Sequence, residues 1–141
     1  MVIEMGILKK LSIVIFLFLS VSQVALDDVL QAHQILKKTG EYEKKKMALS
    51  YFLKEKDRKR VTDLIIDLLT YTYDNPDFRE NDQVAFYDDV IAEELIKILE
   101  KEKRPEAFPA LLKVVLYSRR HRDQTVKAAW RAIEAIDWTK E

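Results

Sequence analysis

Residues 108–138 read FPALLKVVLYSRRHRDQTVKAAWRAIEAIDW, and this stretch decides the fold class. Its apolar residues recur at spacings of three and four on both sides of a polar link, which is the period of amphipathic helices. The first set is Leu111, Leu112, Val115 and Leu116, and the second is Val126, Ala129, Trp130, Ile133 and Ile136. Asp123 is suited to cap the second helix. The stretch therefore predicts two antiparallel helices joined by a short turn.

The sequence before this hairpin also favours helices. The chain contains only two glycines and three prolines, whereas all-β folds need many turns that are rich in these residues. With 48 % hydrophobic residues, the chain can form a packed core. We predict helices at about residues 27–38, 42–56, 58–73, 81–101, 105–116 and 123–138. The expected fold is all-α, with about six antiparallel helices in one domain that spans residues 26–141.

The apolar spacing also predicts which side chains face the core. On the first helix these are Val29, Leu30, His33 and Leu36, and on the third they are Val61, Leu64, Ile65, Leu68 and Leu69. On the fourth they are Val84, Tyr87, Ile91, Leu95 and Ile98. The second helix is apolar on most sides over residues 48–53, which indicates contacts with more than one helix. Gly40 is placed to end the first helix, Trp130 is expected in the core, and Trp138 is expected to be half exposed.

The N-terminal residues have the pattern of a secretory signal. Lys9 and Lys10 precede an apolar run at residues 11–19, and small or polar residues follow up to Ala25. A basic region, a short apolar region and a small-residue exit are typical of a signal peptide. Residues 1–25 are therefore predicted to direct export to the periplasm or the outside of the cell. The alternative is an uncleaved N-terminal membrane anchor.

The last two predicted helices resemble a HEAT repeat, the helical hairpin of α-solenoids. The matching residues are Phe108, Pro109, Ala110, Leu111, Leu112, Asp123, Val126, Lys127, Ala129, Ala132 and Ile133. Asp57, Val61, Leu64 and Leu68 echo the second helix of that repeat, although Asp67 stands where the family has a small residue. Residues 40–44 are instead similar to the turn of a tetratricopeptide repeat. The first resemblance implies a short right-handed solenoid of the HEAT or armadillo kind. Both resemblances imply a protein-binding scaffold.

Few residues suggest chemistry. The chain has no cysteine, and Gly40 is its only glycine after residue 25, so a glycine-rich phosphate loop is excluded. His33 lies on an apolar helix face and is expected to be packed. His121 lies among Arg119, Arg120 and Arg122, which supply no acidic partner, and is expected in a solvated turn. We therefore predict a protein that is not an enzyme and has no catalytic residue, no cofactor and no metal site.

Two groups of residues are candidates for partner binding. Asp88, Asp89, Glu93 and Glu94 place carboxylates at i, i+4 spacing on the fourth helix, and are expected on its solvated face. Tyr71, Tyr73 and Phe78 lie around the longest connection. Aromatic residues near loops can anchor partners, or can cover the end of the core.

Charge is segregated along the chain, although the net charge is zero. Residues 37–60 carry +6, residues 61–100 carry −9 and residues 101–141 carry +4. The balance lacks the basic excess that nucleic-acid binding requires. We therefore expect a non-catalytic scaffold of the bacterial periplasm or cell envelope whose acidic block faces a basic protein partner. In the alternative, the acidic fourth helix meets the basic flanks inside the fold. A membrane-tethered adaptor and a small-ligand-binding protein are the other possible functions.

Overall fold

The computed structural model describes residues 28–38, 41–74 and 82–140, with residues 72–74 and 82–88 described through their backbone alone. This part of the chain contains six α-helices, two short 3-10 turns and no β-strand. The helices are α1 (Asp28–Lys37), α2 (Tyr42–Lys54), α3 (Arg58–Asp74), α4 (Asp82–Glu102), α5 (Phe108–Leu116) and α6 (Asp123–Glu134). The 3-10 turns are Pro105–Ala107 and Ser118–Arg120. The prediction of an all-α fold is confirmed.

Consecutive helices pack in pairs. Odd-numbered helices also contact one another, and so do even-numbered helices. The pairs are α1 with α2, α3 with α4, and α5 with α6. In addition, α4 contacts both α2 and α6, whereas α3 contacts both α1 and α5. One hydrophobic core includes residues from all six helices. Its largest fully buried side chains include Phe52, Ile65, Ile96, Leu99 and Leu111.

Polar contacts hold the C-terminal ends of α2, α4 and α6 together. Arg58 donates from Nη1 to the carbonyl of Phe52 in α2 at 2.7 Å, and from Nε to Glu102 in α4 at 2.7 Å. The backbone N–H of Asp137, which follows α6, donates to the carbonyl of Lys103 at 2.9 Å. Thus α2 and α4 meet at their ends, and so do α4 and α6.

These same contacts explain why two helices end earlier than the sequence predicts. The helix α2 ends at Lys54 rather than residue 56, because Arg58 also donates to the carbonyl of Glu55 at 2.9 Å and satisfies an unpaired helix-end carbonyl. The helix α6 ends at Glu134 rather than residue 138, because the chain turns to pair with Lys103. Asp57 caps the start of α3, with its Oδ1 accepting from the N–H of Arg60 at 3.1 Å.

Lys103 ends α4 in a left-handed backbone conformation, with φ of 60°. Its N–H donates to the carbonyl of Leu99 at 3.1 Å, which closes the last turn of the helix. Glycine usually occupies such a position, because a side chain there costs about 1–2 kcal/mol. The bond from Asp137 to the Lys103 carbonyl helps to hold this conformation in place.

The predicted core faces of α3 and α4 are confirmed wherever side chains are described. On α3, Val61, Ile65, Leu68 and Leu69 are buried, and Leu64 packs against the core. On α4, Ile91, Leu95 and Ile98 are buried. The predictions for Gly40, Val84 and Tyr87 lie outside the described side chains.

Three predicted core residues are instead exposed. Leu30 is 38 % exposed, Leu116 is 72 % exposed and Trp130 is 49 % exposed. The helix α6 turns Ala128, Ala129 and Ala132 into the core, because small side chains let helices approach closely. Each residue advances about 100° around a helix, so Trp130 lies on the side of α6 that faces away from these three alanines. The helix α5 likewise buries Ala110, Leu111 and Val114, while Leu112 and Val115 are only partly buried.

Trp138 follows α6 and lies against the start of α5. Its ring meets Phe108 edge-on, with 5.4 Å between the ring centroids. The side chain is 64 % exposed, which agrees with the predicted partial exposure. The contact adds to the backbone bond from Asp137 that ties the C-terminal residues to the α4–α5 connection.

The predicted signal, residues 1–25, lies outside the described residues. Among the residues that are described, none of the helices combines the length and the apolar character that crossing a membrane requires.

Candidate functional site

A buried polar cluster joins α4 to the start of α6. The side chain of Asp89 is 1 % exposed, and its Oδ2 accepts from the N–H of Arg122 at 2.7 Å and from the hydroxyl of Thr125 at 2.8 Å. Its Oδ1 bonds to Nδ1 of His121. Arg122 also donates from Nη2 to Glu93 at 2.7 Å. We call these five residues the Asp89 cluster.

The expectation that the four carboxylates of α4 share a solvated face is wrong for Asp89. Its carboxylate accepts the N–H of Arg122, the residue before α6, at a helix start where backbone N–H groups lack helical partners and the helix dipole favours negative charge. Glu93 is 15 % exposed and pairs with Arg122, whereas Glu94 is 49 % exposed and pairs with Lys97 at 3.2 Å. The side chain of Asp88 lies outside the described set. The acidic block is therefore divided between the interior and the surface.

His121 is also placed differently from the prediction. Its side chain is 2 % exposed, and its acidic partner comes from α4 rather than from neighbouring residues in sequence. The expected solvated turn is therefore wrong. The hydroxyl of Thr125 donates to the same carboxylate, so Asp89 joins the histidine, the hydroxyl and the helix start in one hydrogen-bonded network. This network holds two helices together, and its bonds account for both carboxylate oxygens of Asp89.

A second histidine–aspartate pair joins α1 to α3. The buried side chain of His33 bonds through Nε2 to Oδ2 of Asp67 at 2.7 Å, and Lys37 reaches the same oxygen at 2.9 Å. The ammonium of Lys37 also lies 5.2 Å from the ring centroid of Tyr71, within the range of a cation–π contact. The predicted packing of His33 is confirmed. We call these four residues the Asp67 cluster.

The pKa of Asp67 is lower than its ordinary value of 3.8. Desolvation alone would raise the pKa, but the hydrogen bonds and positive charge of Lys37 and His33 outweigh it. Asp67 is 51 % exposed, so water screens this pairing more than it screens the contacts of Asp89.

The aromatic candidates are only partly described. Tyr71 is 40 % exposed, and Lys37 covers one side of its ring. The side chains of Tyr73 and Phe78 lie outside the described set. What the structure describes of this group therefore belongs to the α1–α3 contact.

A groove between α2, α4 and α6 was not predicted from the sequence. Its floor is apolar and consists of Leu49, Leu53 and Ile98. Its charged rim consists of Glu94, Lys97, Glu100, Lys101 and Arg131. The groove has a volume of about 520 Å³. We call it the α2–α4–α6 groove.

Leu53 is the unusual residue of this groove. It is 62 % exposed, although Leu49, one turn earlier on α2, is only 8 % exposed. The prediction that residues 48–53 contact helices on more than one side is therefore wrong at Leu53.

The described part of the chain contains no group of three or more histidine, aspartate or glutamate side chains that could hold a metal ion.

This chain was compared with protein-family models, curated proteins and solved structures. None of the three comparisons gives a match.

Proposed function

We propose that this chain is a non-catalytic protein-binding scaffold with a short HEAT-like α-solenoid fold. The pattern of helix contacts supports the proposal, because odd-numbered helices touch one another and so do even-numbered helices. A solenoid of helical pairs has this pattern, since each pair stacks on the next. The start and the end of α6 both meet α4, through Arg122 and Asp137, which fits two stacked helices that run in the same direction.

The observation that carries the proposed function is the exposed leucine in the α2–α4–α6 groove. Leu53 lines the groove together with Leu49 and Ile98, whose side chains are buried, so Leu53 supplies the exposed apolar surface of the floor. Full burial of one leucine is worth about 1.5–3 kcal/mol, so a partner that covers Leu53 gains affinity from it. In an α-solenoid the groove would lie on the layer of even-numbered helices, one of the extended surfaces that such proteins use for binding.

The shape of the groove favours a segment of another protein over a small ligand. Small-molecule sites typically enclose 70–90 % of the ligand surface within a cavity. Here a large side chain of the floor stays 62 % exposed, and the rim residues Lys101 and Arg131 are exposed as well. A partner that lies along the groove can cover this surface without being enclosed.

The proposed place of action is the periplasm or the outside of the cell. Lys9, Lys10 and the apolar run at residues 11–19 support export. The second candidate is a membrane-tethered adaptor that retains this segment. The intact mass of the exported protein separates the two, since cleavage near Ala25 removes the segment and anchoring leaves it in place.

Site-specific photo-cross-linking in the producing cell tests the proposed function. A photoreactive amino acid replaces Leu53 in one variant and Leu116, the matched control, in another. Both leucines are highly exposed, at 62 % and 72 %, but Leu116 lies on α5 and does not line the groove. We expect a discrete protein adduct at position 53 that is absent at position 116. The absence of any adduct at position 53, or the same adducts at both positions, contradicts the proposal.

A further inference from the structure

We infer that the α2–α4–α6 groove binds an amphipathic helix whose apolar stripe is bordered by acidic residues. This inference rests on the proposed function and adds the chemistry of the partner. It is carried by the spacing of the apolar floor and by the charges on the rim that have no partner among the described residues.

The spacing of the floor fits the stripe of a helix. Leu49 and Leu53 are four residues apart on α2, so their side chains follow each other by one helical turn, about 6 Å. Ile98 of α4 completes the apolar floor. In helix-in-groove recognition, a partner helix places its own apolar anchors, at i, i+3 or i+4, and i+7, in an apolar groove of this kind. A partner helix also satisfies its own backbone hydrogen bonds, whereas α2 and α4 offer a second chain no free backbone edge.

The rim supplies a positive charge that the described chain does not neutralise. Lys97 pairs with Glu94 at 3.2 Å and lies 3.9 Å from Glu93. Lys101 and Arg131 are exposed and form no ion pair within the described residues. Glu100 is the one carboxylate of the rim without an ion pair there, so the unpaired rim groups carry a net charge of +1.

The surface next to the groove adds to this charge. Lys46 lies seven residues, about two helical turns, before Leu53 and on the same side of α2. Its side chain is exposed and makes no ion pair within the described part of the chain. A partner helix that extends along α2 from Leu53 therefore passes a third unpaired cation, in addition to Lys101 and Arg131. Acidic residues beside the partner's apolar stripe complement this surface, and basic residues in the same places are repelled.

Three synthetic peptides test the inference with the full chain. Each is a helical 18-residue peptide with the same leucine stripe, and the positions that border the stripe carry glutamate, glutamine or lysine. We expect the glutamate peptide to bind most tightly and the lysine peptide most weakly. Because an exposed ion pair is typically worth about 0.2–1 kcal/mol, two pairs predict roughly a two- to thirtyfold difference between the glutamate and glutamine peptides at low salt. Fluorescence anisotropy of labelled peptides measures the affinities.

Charge-reversal variants locate the effect. Lys101→Glu combined with Arg131→Glu should invert the order of the three peptides, because the rim then repels glutamate. The matched control combines Lys113→Glu with Arg119→Glu, which changes the net charge equally at exposed positions outside the groove. This control should retain the original order. If both double variants invert the order, long-range charge rather than the rim decides the affinity, and the inference is overturned.

Leu53→Glu separates failure of the inference from failure of the proposed function. If all three peptides bind with equal affinity and Leu53→Glu abolishes their binding, the groove is a binding site but the inference of an acidic partner is overturned. If Leu53→Glu leaves the binding of every peptide unchanged, the peptides bind elsewhere and the inference is overturned. If no peptide binds and photo-cross-linking at position 53 gives no adduct, the proposed function is lost as well. Circular dichroism checks that each variant keeps its helical content.

Discussion

The two histidine–aspartate pairs use the same residue types but differ in their access to water. In the Asp89 cluster, the side chains of His121 and Asp89 are 2 % and 1 % exposed. In the Asp67 cluster, the side chain of His33 is 7 % exposed but that of Asp67 is 51 % exposed. A buried ionisable group depends on its protein partners, whereas water can replace a lost partner at the surface.

The donors to the two aspartates differ as well. Asp67 receives bonds from the side chains of His33 and Lys37. Asp89 receives a backbone N–H from Arg122, the residue before α6, and a hydroxyl from Thr125 in the first turn of α6. Because both donors lie at the start of α6, Asp89 ties that start to α4. The histidine–aspartate pair of the Asp89 cluster therefore helps to position a helix, whereas the pair of the Asp67 cluster is a contact that water screens.

Replacing each aspartate by alanine gives the largest expected difference between the clusters. Asp89→Ala removes the buried carboxylate that accepts from the Arg122 N–H and the Thr125 hydroxyl and that bonds to His121. Breaking a buried ion pair typically costs about 3–5 kcal/mol of unfolding free energy, and we expect a loss in this range. Asp67→Ala should cost about 1 kcal/mol, because water can reach the vacated position. Urea unfolding followed by circular dichroism measures both values, and similar losses would show that burial does not distinguish the clusters.

A smaller effect is expected from removing one hydroxyl of the Asp89 cluster. Thr125→Val keeps the side-chain shape but removes a donor to a buried carboxylate, which should cost about 1.5–3 kcal/mol. Thr62→Val is the matched control. Thr62 is also fully buried, but its hydroxyl donates to the Arg58 carbonyl one turn earlier in the same helix, at 3.0 Å.

The control should cost about 1 kcal/mol or less, because loss of its hydroxyl leaves no charged group unpaired. Urea unfolding of both variants at pH 7 gives the comparison. A larger loss at Thr62 than at Thr125 would mean that the carboxylate of Asp89 is solvated by other groups, and the special role of the cluster would be contradicted.

The helices could be predicted from the sequence because their period is a local property. Ile91, Leu95 and Ile98 repeat at spacings of four and three, and all three are buried. The burial of Asp89 had a local signal too. It precedes Ala92 by three residues and Ile96 by seven, and both of these are buried. A second stripe beside the first indicates a helix covered on two sides, and Asp89 belongs to that second stripe.

The rest of the candidate site depends on tertiary contacts that no local pattern contains. The partner of His121 lies 32 residues away and is brought to it only by the packing of α4 against α6. Trp130 has the spacing of a core residue, but three alanines of α6 occupy the contact with its neighbours. The exposure of Leu53 is not evident from its spacing either, since Leu49, one turn earlier on the same helix, is buried.

The smallest expected effect concerns acid and is specific to the Asp67 cluster. The pKa of Asp67 is lower in the folded chain than its ordinary value of 3.8, so folding favours the ionised form. The associated stability is fully present well above the unfolded pKa of 3.8 and is lost as the pH falls through the lower, folded-state pKa. Asp67 is half exposed, so the contribution should be no more than about 1 kcal/mol after screening. Asp67→Asn removes the titrating group, and its difference in unfolding free energy from the parent should therefore shrink as the pH falls below 4. Unfolding of both chains by urea between pH 7 and pH 3 measures this difference. A difference that grows toward pH 3 would have the wrong sign, and would mean that protonation of Asp67 stabilises the pairing with His33 rather than weakening it.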